Sequence, residues 1–138
     1  YIINDDPLLA KEVNADGCHL GQTDMSIALA RKILKKHIIG ITCHNSKKLI
    51  KKAVNNKANY IALGAFFTTK TKRVKYKASI KILNWSKKTT NIPIVAIGGI
   101  KLNNYKKLLL NKANFLAISS YIWNNKKYKP LEAIRKLK

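Results

Sequence analysis

Ile94-Val95-Ala96-Ile97-Gly98-Gly99 is the stretch on which the fold turns. It is apolar at successive positions, the pattern expected of a strand in a parallel sheet covered on both faces. The glycines behind it mark a strand exit, as does Gly64 further upstream. Outward from this run, short β-rich segments alternate with helical patterns, the signature of parallel βαβ units. Strand candidates occupy 1–4, 17–20, 38–42, 60–63, 94–97 and 115–119. Helical patterns fill the intervals. Segment 8–13 is short, and 25–35 places Ile27, Ala30, Arg31 and Leu34 on one stripe that can lie against a sheet. Segment 46–55 starts at Ser46 as N-cap and pairs Leu49 and Ile50 with Ala53 and Val54. Segment 79–87 carries Ile80, Leu83 and Trp85, 103–110 carries Tyr105, Leu108 and Leu109, and 131–137 carries Leu131, Ile134 and Leu137.

Six βα units with no change of pattern predict an α/β fold, a partial TIM (β/α)8 barrel with about six of its eight units. A doubly wound open sheet is the runner-up. It calls for a glycine-rich fingerprint after the first strand, and Asn4-Asp5-Asp6-Pro7 is nothing like one. The 138 residues, 46% hydrophobic, suffice for one ordinary domain with a core. The chain opens directly on a strand pattern, without an initiator Met or signal-peptide order. A fragment whose true start lies upstream is therefore expected.

No run of about 18 apolar residues occurs, so no membrane span is expected. Cys18 and Cys43 fall inside strand candidates and lack the spacing of a metal knuckle. They read as buried free thiols of a reducing compartment, which predicts a cytoplasmic protein. The 28 Lys and Arg against 6 Asp and Glu give a net charge of +22, which invites a nucleic-acid reading. A binding face would concentrate those lysines and interleave stacking aromatics. Instead they are dispersed over almost every helix, among many Ile and Asn, as a general compositional bias would leave them. Such a surface would still attract phosphorylated small molecules.

In a barrel the active-site groups come from the C-terminal strand ends. Asp5 follows the first strand candidate and Asp24 closely follows the second. Taken singly, each suits a helix cap. Taken together in so basic a chain, they suit a hard cation such as Mg²⁺ beside a phosphorylated substrate. Thr42 and His44 end the third strand, Thr68–Lys72 lies in a long loop after the fourth, and Gly98-Gly99 and Ser119-Ser120 follow the fifth and sixth. Glycines after a strand let backbone N–H groups approach an anion, and serines can complete the cup. The basic loop reads equally as a solvated surface or as a neutraliser of a second phosphate. Acids, loop and cup together suggest two phosphorylated substrates meeting over one ion. No Ser–His–Asp or Cys–His constellation is evident.

In order along the chain, these motifs resemble the thiamine-phosphate synthase (thiamine-phosphate pyrophosphorylase) family. The resemblance rests on Ile2-Ile3-Asn4-Asp5-Asp6, Gly17-Cys18-His19-Leu20-Gly21-Gln22-Thr23-Asp24, Gly40-Ile41-Thr42, Thr69-Lys70-Thr71-Lys72 and Pro93-Ile94-Val95-Ala96-Ile97-Gly98-Gly99. It implies a barrel transferase of thiamine biosynthesis. Such an enzyme condenses hydroxymethylpyrimidine diphosphate with hydroxyethylthiazole phosphate, giving thiamine phosphate and pyrophosphate. It further implies Asp5 and Asp24 as Mg²⁺ ligands, which act in catalysis together with Lys72. Asn4, Thr42 and Lys72 would contact the pyrimidine diphosphate. Thr69, Lys70, Thr71, Gly99, Ser119 and Ser120 would contact the thiazole phosphate. His19 reads as a packed residue or one acting behind the site, and His44 stays open.

The chain departs from the family pattern at several points. Thr42 stands where Ser is usual, Ala65 and Thr68 replace prolines, and the Gly common before the last strand is absent. Residues 1–138 would form a single partial domain lacking the family's first two βα units, including a Gln/Arg/Lys strand that holds the diphosphate. Two alternatives compete with this reading. A thiazole tautomerase-like barrel would not need Asp5, Asp24 or Lys72, and a basic nucleic-acid-binding module would need a clustered basic face.

Overall fold

The computed structural model describes residues 1–69 and 75–137. Strands β1 (Ile2–Asn4), β2 (Gly17–Leu20), β3 (Ile38–His44), β4 (Tyr60–Leu63), β5 (Ile94–Ile97) and β6 (Phe115–Ala117) form one sheet in chain order. Every adjacent pair is parallel. Each strand-to-strand connection is therefore a crossover, and each carries a helix: α1 (Pro7–Glu12), α2 (Ile27–Leu34), α3 (Lys47–Asn55), α4 (Ile80–Thr89) and α5 (Tyr105–Leu110). Short helices α6 (Ser120–Trp123) and α7 (Pro130–Arg135) follow β6. A doubly wound sheet reverses its strand order at a switch point. This sheet never reverses, so the architecture is a partial barrel.

Side-chain parity divides the sheet. Cys18, Leu20, Ile39, Cys43, Ile61, Leu63, Ile94 and Ala96 are buried in a core shared with Ile27, Ala30, Leu34, Ile50, Ala53, Leu83 and Leu108 of the helices. On the opposite parity His19, Thr42, Tyr60, Val95 and Ile97 are half-buried, while Ile2, Ile38 and Phe115 are exposed. In 94–97 one face is thus fully buried and the other half-buried. The inward face of a barrel is filled by side chains of other strands, so it too is apolar, and composition alone does not tell the two coverings apart.

Helix stripes follow expectation in part. In α2, Ile27, Ala30 and Leu34 are buried, and in α3 Ile50 and Ala53 are. Arg31 does not pack apolarly. Its guanidinium donates to the carbonyls of Lys35 (2.6 Å), His37 (2.7 Å) and Lys57 (3.1 Å) and to Asn59 Oδ1 (2.7 Å). It thereby ties the end of α2 to the approaches of β3 and β4. In α4 the buried set is Ile82, Leu83 and Ser86 rather than Ile80, Leu83 and Trp85. In α5 Tyr105 and Leu108 are buried and Leu109 is exposed. In α7 the buried residue is Ala133, and Leu131 and Ile134 face solvent. That helix packs chiefly on α6, beyond the last strand of the sheet, so its larger apolar residues have no strand to cover. Strand β3 runs to His44, two residues past the expected 42, and β6 stops at Ala117.

Candidate active site at the strand ends

The exit of β1 is a tight turn. The Asp5 N–H donates to the His19 carbonyl (2.8 Å), extending the ladder with β2, and the Asp6 N–H donates back to the Asn4 carbonyl (2.8 Å). Asp5, at the middle of this three-residue turn, has φ 68°, a left-handed conformation that Asp and Asn tolerate better than most residues. The helix cap is its neighbour: Asp6 Oδ1 accepts from the N–H groups of Leu8 (2.9 Å) and Leu9 (3.0 Å). Asp5 is thus not the N-cap of α1, and the cap reading transfers to Asp6.

At the exit of β2, Asp24 folds back so that its Oδ2 accepts from the Gly21 N–H (2.6 Å). The cap of α2 is Ser26, whose hydroxyl accepts from the Leu29 N–H. The two candidate ligands therefore stand at neighbouring strand ends, and neither serves as a helix cap. Their fields overlap at β2. Burial pushes the Cys18 thiol up to about 11, and the charges of Asp5, Asp6 and Asp24 add to that shift. Burial also holds the His19 imidazole below its ordinary value, against the opposing pull of Asp5 and Asp24.

Among the described residues no group of three or more His, Cys, Asp or Glu converges. Two carboxylates suit Mg²⁺, which keeps several waters and is commonly held by one or two carboxylates plus substrate phosphates. Asp5 and Asp24 thus fit the ion the resemblance implies.

Thr42, His19 and Tyr60 form a hydrogen-bonded row on the inward face. His19 Nε2 lies 2.8 Å from Thr42 Oγ1, and His19 Nδ1 lies 2.8 Å from the Tyr60 hydroxyl. The register explains the meeting. His19 pairs with Gly40, and Gly40 pairs with Tyr60, so the imidazole and phenol close over a position without a side chain. Their rings stack with centroids 5.4 Å apart. The Gln22 amide donates to the Thr42 carbonyl (2.6 Å), fastening the Gly21–Asp24 turn to β3. His44 sits past a register shift with φ 54°, its ring 4.5 Å from that of Tyr76. Burial lowers its pKa.

At the exit of β5 the Phe66 and Phe67 N–H groups donate to the carbonyls of Ile97 and Gly98, each at 3.1 Å. Gly98 and Gly99 have φ 93° and 65°, and a Cβ on Gly99 would come within 2.5 Å of the Thr68 carbonyl oxygen. These glycines seat the long loop against β5, a packing role the anion-cup reading did not include. A cleft of about 330 Å³ at this junction is lined by Phe66, Phe67, Thr68, Lys77, Lys101, Asn103 and Asn104. Asn104 holds the glycine turn, donating to the Gly99 carbonyl (3.1 Å) and accepting from the Lys101 N–H (2.9 Å).

Ser119 occupies the N-cap position of α6 without a side-chain cap hydrogen bond, and Ser120 starts the helix, shortly after β6. Thr69 is half-buried at the edge of the described loop. Lys70, Thr71 and Lys72 lie outside the described residues. Among the described site residues, Asn4 ends β1 and Asp5 follows it, Thr42 lies near the end of β3, Gly99, Ser119 and Ser120 come shortly after β5 and β6, and Asp24 and Thr69 lie in the loops that follow β2 and β4. The reading from sequence missed Tyr60, Gly40 and Gln22. A lone glycine inside strand 38–42 was the available signal, since such a glycine often marks a close approach.

Comparison with known proteins supplies the family. The family described as thiamine monophosphate synthase matches residues 1–122. Thiamine-phosphate synthase of Pelagibacter ubique is 74% identical over 138 residues, all of this chain and 67% of that protein. The Rhodospirillum centenum protein of the same name is 40% identical over 126 residues, 91% of this chain and 61% of its own length. Among solved structures, thiamine phosphate pyrophosphorylase from Pyrococcus furiosus superposes with a TM-score of 0.88 at 28% identity, over 99% of this chain and 64% of that one. A 3-hexulose-6-phosphate synthase, 15% identical with a TM-score of 0.69 over 95% of this chain and 64% of its own, shares the fold. The chain thus spans 61% to 67% of the length of these relatives. With that family matched over residues 1–122 of the 138, the chain belongs to the thiamine monophosphate synthase family.

Proposed function

We propose that the protein is a Mg²⁺-dependent transferase of thiamine biosynthesis. It joins hydroxymethylpyrimidine diphosphate to hydroxyethylthiazole phosphate, releasing pyrophosphate. The observation that carries this reading is the placement of Asp5 and Asp24, both spared from helix capping, at adjoining strand ends. Asp5 and Asp24 would hold Mg²⁺, which would supply positive charge to stabilise the departing pyrophosphate. Asn4 and Thr42 orient the diphosphate from β1 and β3, and the ammonium of Lys72 neutralises charge on the same leaving group. Thr69, Lys70, Thr71, Gly99, Ser119 and Ser120 hold the thiazole phosphate. The thiazole nitrogen supplies the nucleophile, so no side chain forms a covalent intermediate.

The two buried free thiols favour a reducing compartment, hence the cytoplasm. No helix among the described residues is long and apolar enough to cross a membrane.

The test is direct. The protein, expressed at its full natural length, is incubated with both substrates and Mg²⁺, and thiamine phosphate is read by fluorescence after oxidation. Product that disappears with chelator and returns with added Mg²⁺ is expected. Absence of product, or turnover indifferent to chelator, overturns the reading.

A further inference from the structure

The contacts of His19 specify more than packing. A neutral imidazole donates from one ring nitrogen and accepts at the other, and here the two nitrogens face two hydroxyls, Tyr60 and Thr42, each at 2.8 Å. The phenol is the more acidic hydroxyl and the better donor, whereas the imidazole lone pair is the strongest acceptor in the row. The favoured pairing therefore sends the Tyr60 O–H to Nδ1 and leaves the proton on Nε2, where it donates to Thr42 Oγ1. With that lone pair engaged, the Thr42 hydroxyl proton is turned away from the imidazole.

We infer that Tyr60 and His19 form a directional relay that aims the Thr42 hydroxyl proton as a donor toward an anionic diphosphate oxygen. This rests on the proposed function, in which Thr42 contacts the diphosphate. A diphosphate oxygen only accepts hydrogen bonds, so a threonine whose proton were spent on the imidazole could offer it none. Tyr60 and His19 are thus positioning residues that act through Thr42. The sheet is built to permit the relay: a Cβ at Gly40 would lie 1.9 Å from Tyr60 Cζ, so only glycine lets the phenol reach across β3.

The experiment has two arms. In the protein labelled with ¹⁵N-histidine, two-bond ¹H–¹⁵N correlations report the ring tautomer. The Nε2–H form is expected for His19, and it should lose its dominance in Tyr60→Phe, which removes only the hydroxyl. In the condensation assay, Tyr60→Phe should raise the KM for the pyrimidine diphosphate about tenfold while moving the KM for the thiazole phosphate little. His19→Gln places an amide N–H where Nε2–H stood and should stay within about threefold of the parent, whereas His19→Leu should match Tyr60→Phe. An Nδ1–H ring in the parent, or a Tyr60→Phe variant with unchanged tautomer and KM, overturns the relay. A parent that makes no thiamine phosphate instead overturns the functional reading, and the tautomer remains measurable on its own.

Discussion

Gly40 and Tyr60 are directly paired across β3 and β4, and the phenol ring lies in the space a side chain at position 40 would fill. The strand-end site depends on this pair, because it brings the Tyr60 hydroxyl to His19 and, through it, to Thr42.

Gly40→Ala should therefore displace the ring and cost about 1–3 kcal/mol, the range for forcing extra volume into packed structure. Denaturant midpoints measure it. Tyr60→Ala in the same chain removes the clash, so the double variant should lose less than the sum of the two single losses. Strict additivity would show that the ring does not depend on the vacancy.

The adjacent aspartates should separate stability from activity. Asp6→Ala removes the cap of α1 and should cost about 1 kcal/mol in thermal or denaturant unfolding, with turnover kept. Asp5→Asn keeps a residue that tolerates φ 68° and should leave stability nearly intact. It should lower Mg²⁺-dependent turnover about a hundredfold or more. The reverse pattern would assign the metal to the wrong aspartate.

Cys18 and Cys43 are raised by burial from an ordinary 9.0 to about 11 and about 12. At about pH 8 both should resist a thiol reagent until the protein unfolds, so that labelling tracks global opening. The folded state favours the protonated thiols. Their stabilisation is therefore whole below the unfolded value of 9.0 and is lost as pH climbs toward the folded values of about 11 and 12. An alkaline fall in stability that is reduced in Cys43→Ala checks the assignment.

His19 and His44 shift the other way, burial lowering each below the ordinary 6.5. Below the ordinary value the unfolded chain takes up protons that the folded imidazoles resist, so stability falls with acidification. Midpoints measured at about pH 7.5 and about pH 5.5 should show this loss, and His19→Gln should diminish it. A variant with the same acid slope as the parent would place the proton uptake elsewhere.

Much of this was legible along the chain. Period and punctuation placed all six strands, because a strand and its glycine exit are local events. The order Asn4-Asp5, Asp24, Thr42, Thr69, Gly99, Ser119 followed from one rule, that barrel chemistry gathers at C-terminal strand ends. Hydrogen-bond partners were not legible. Asp5 and Asp6 are chemically alike, and only the turn geometry makes Asp6 the cap and frees Asp5 from that duty.

The amino-acid order by itself determined the alternation of strand and helix, and with it a parallel sheet with acids and hydroxyls on one rim. Those properties depend on neighbours a few residues apart. Register, side-chain reach and burial belong to the tertiary structure alone. His19, Thr42 and Tyr60 meet because three strands align them across a glycine, and contacts between residues 23 and 41 positions apart leave no periodic trace in the chain.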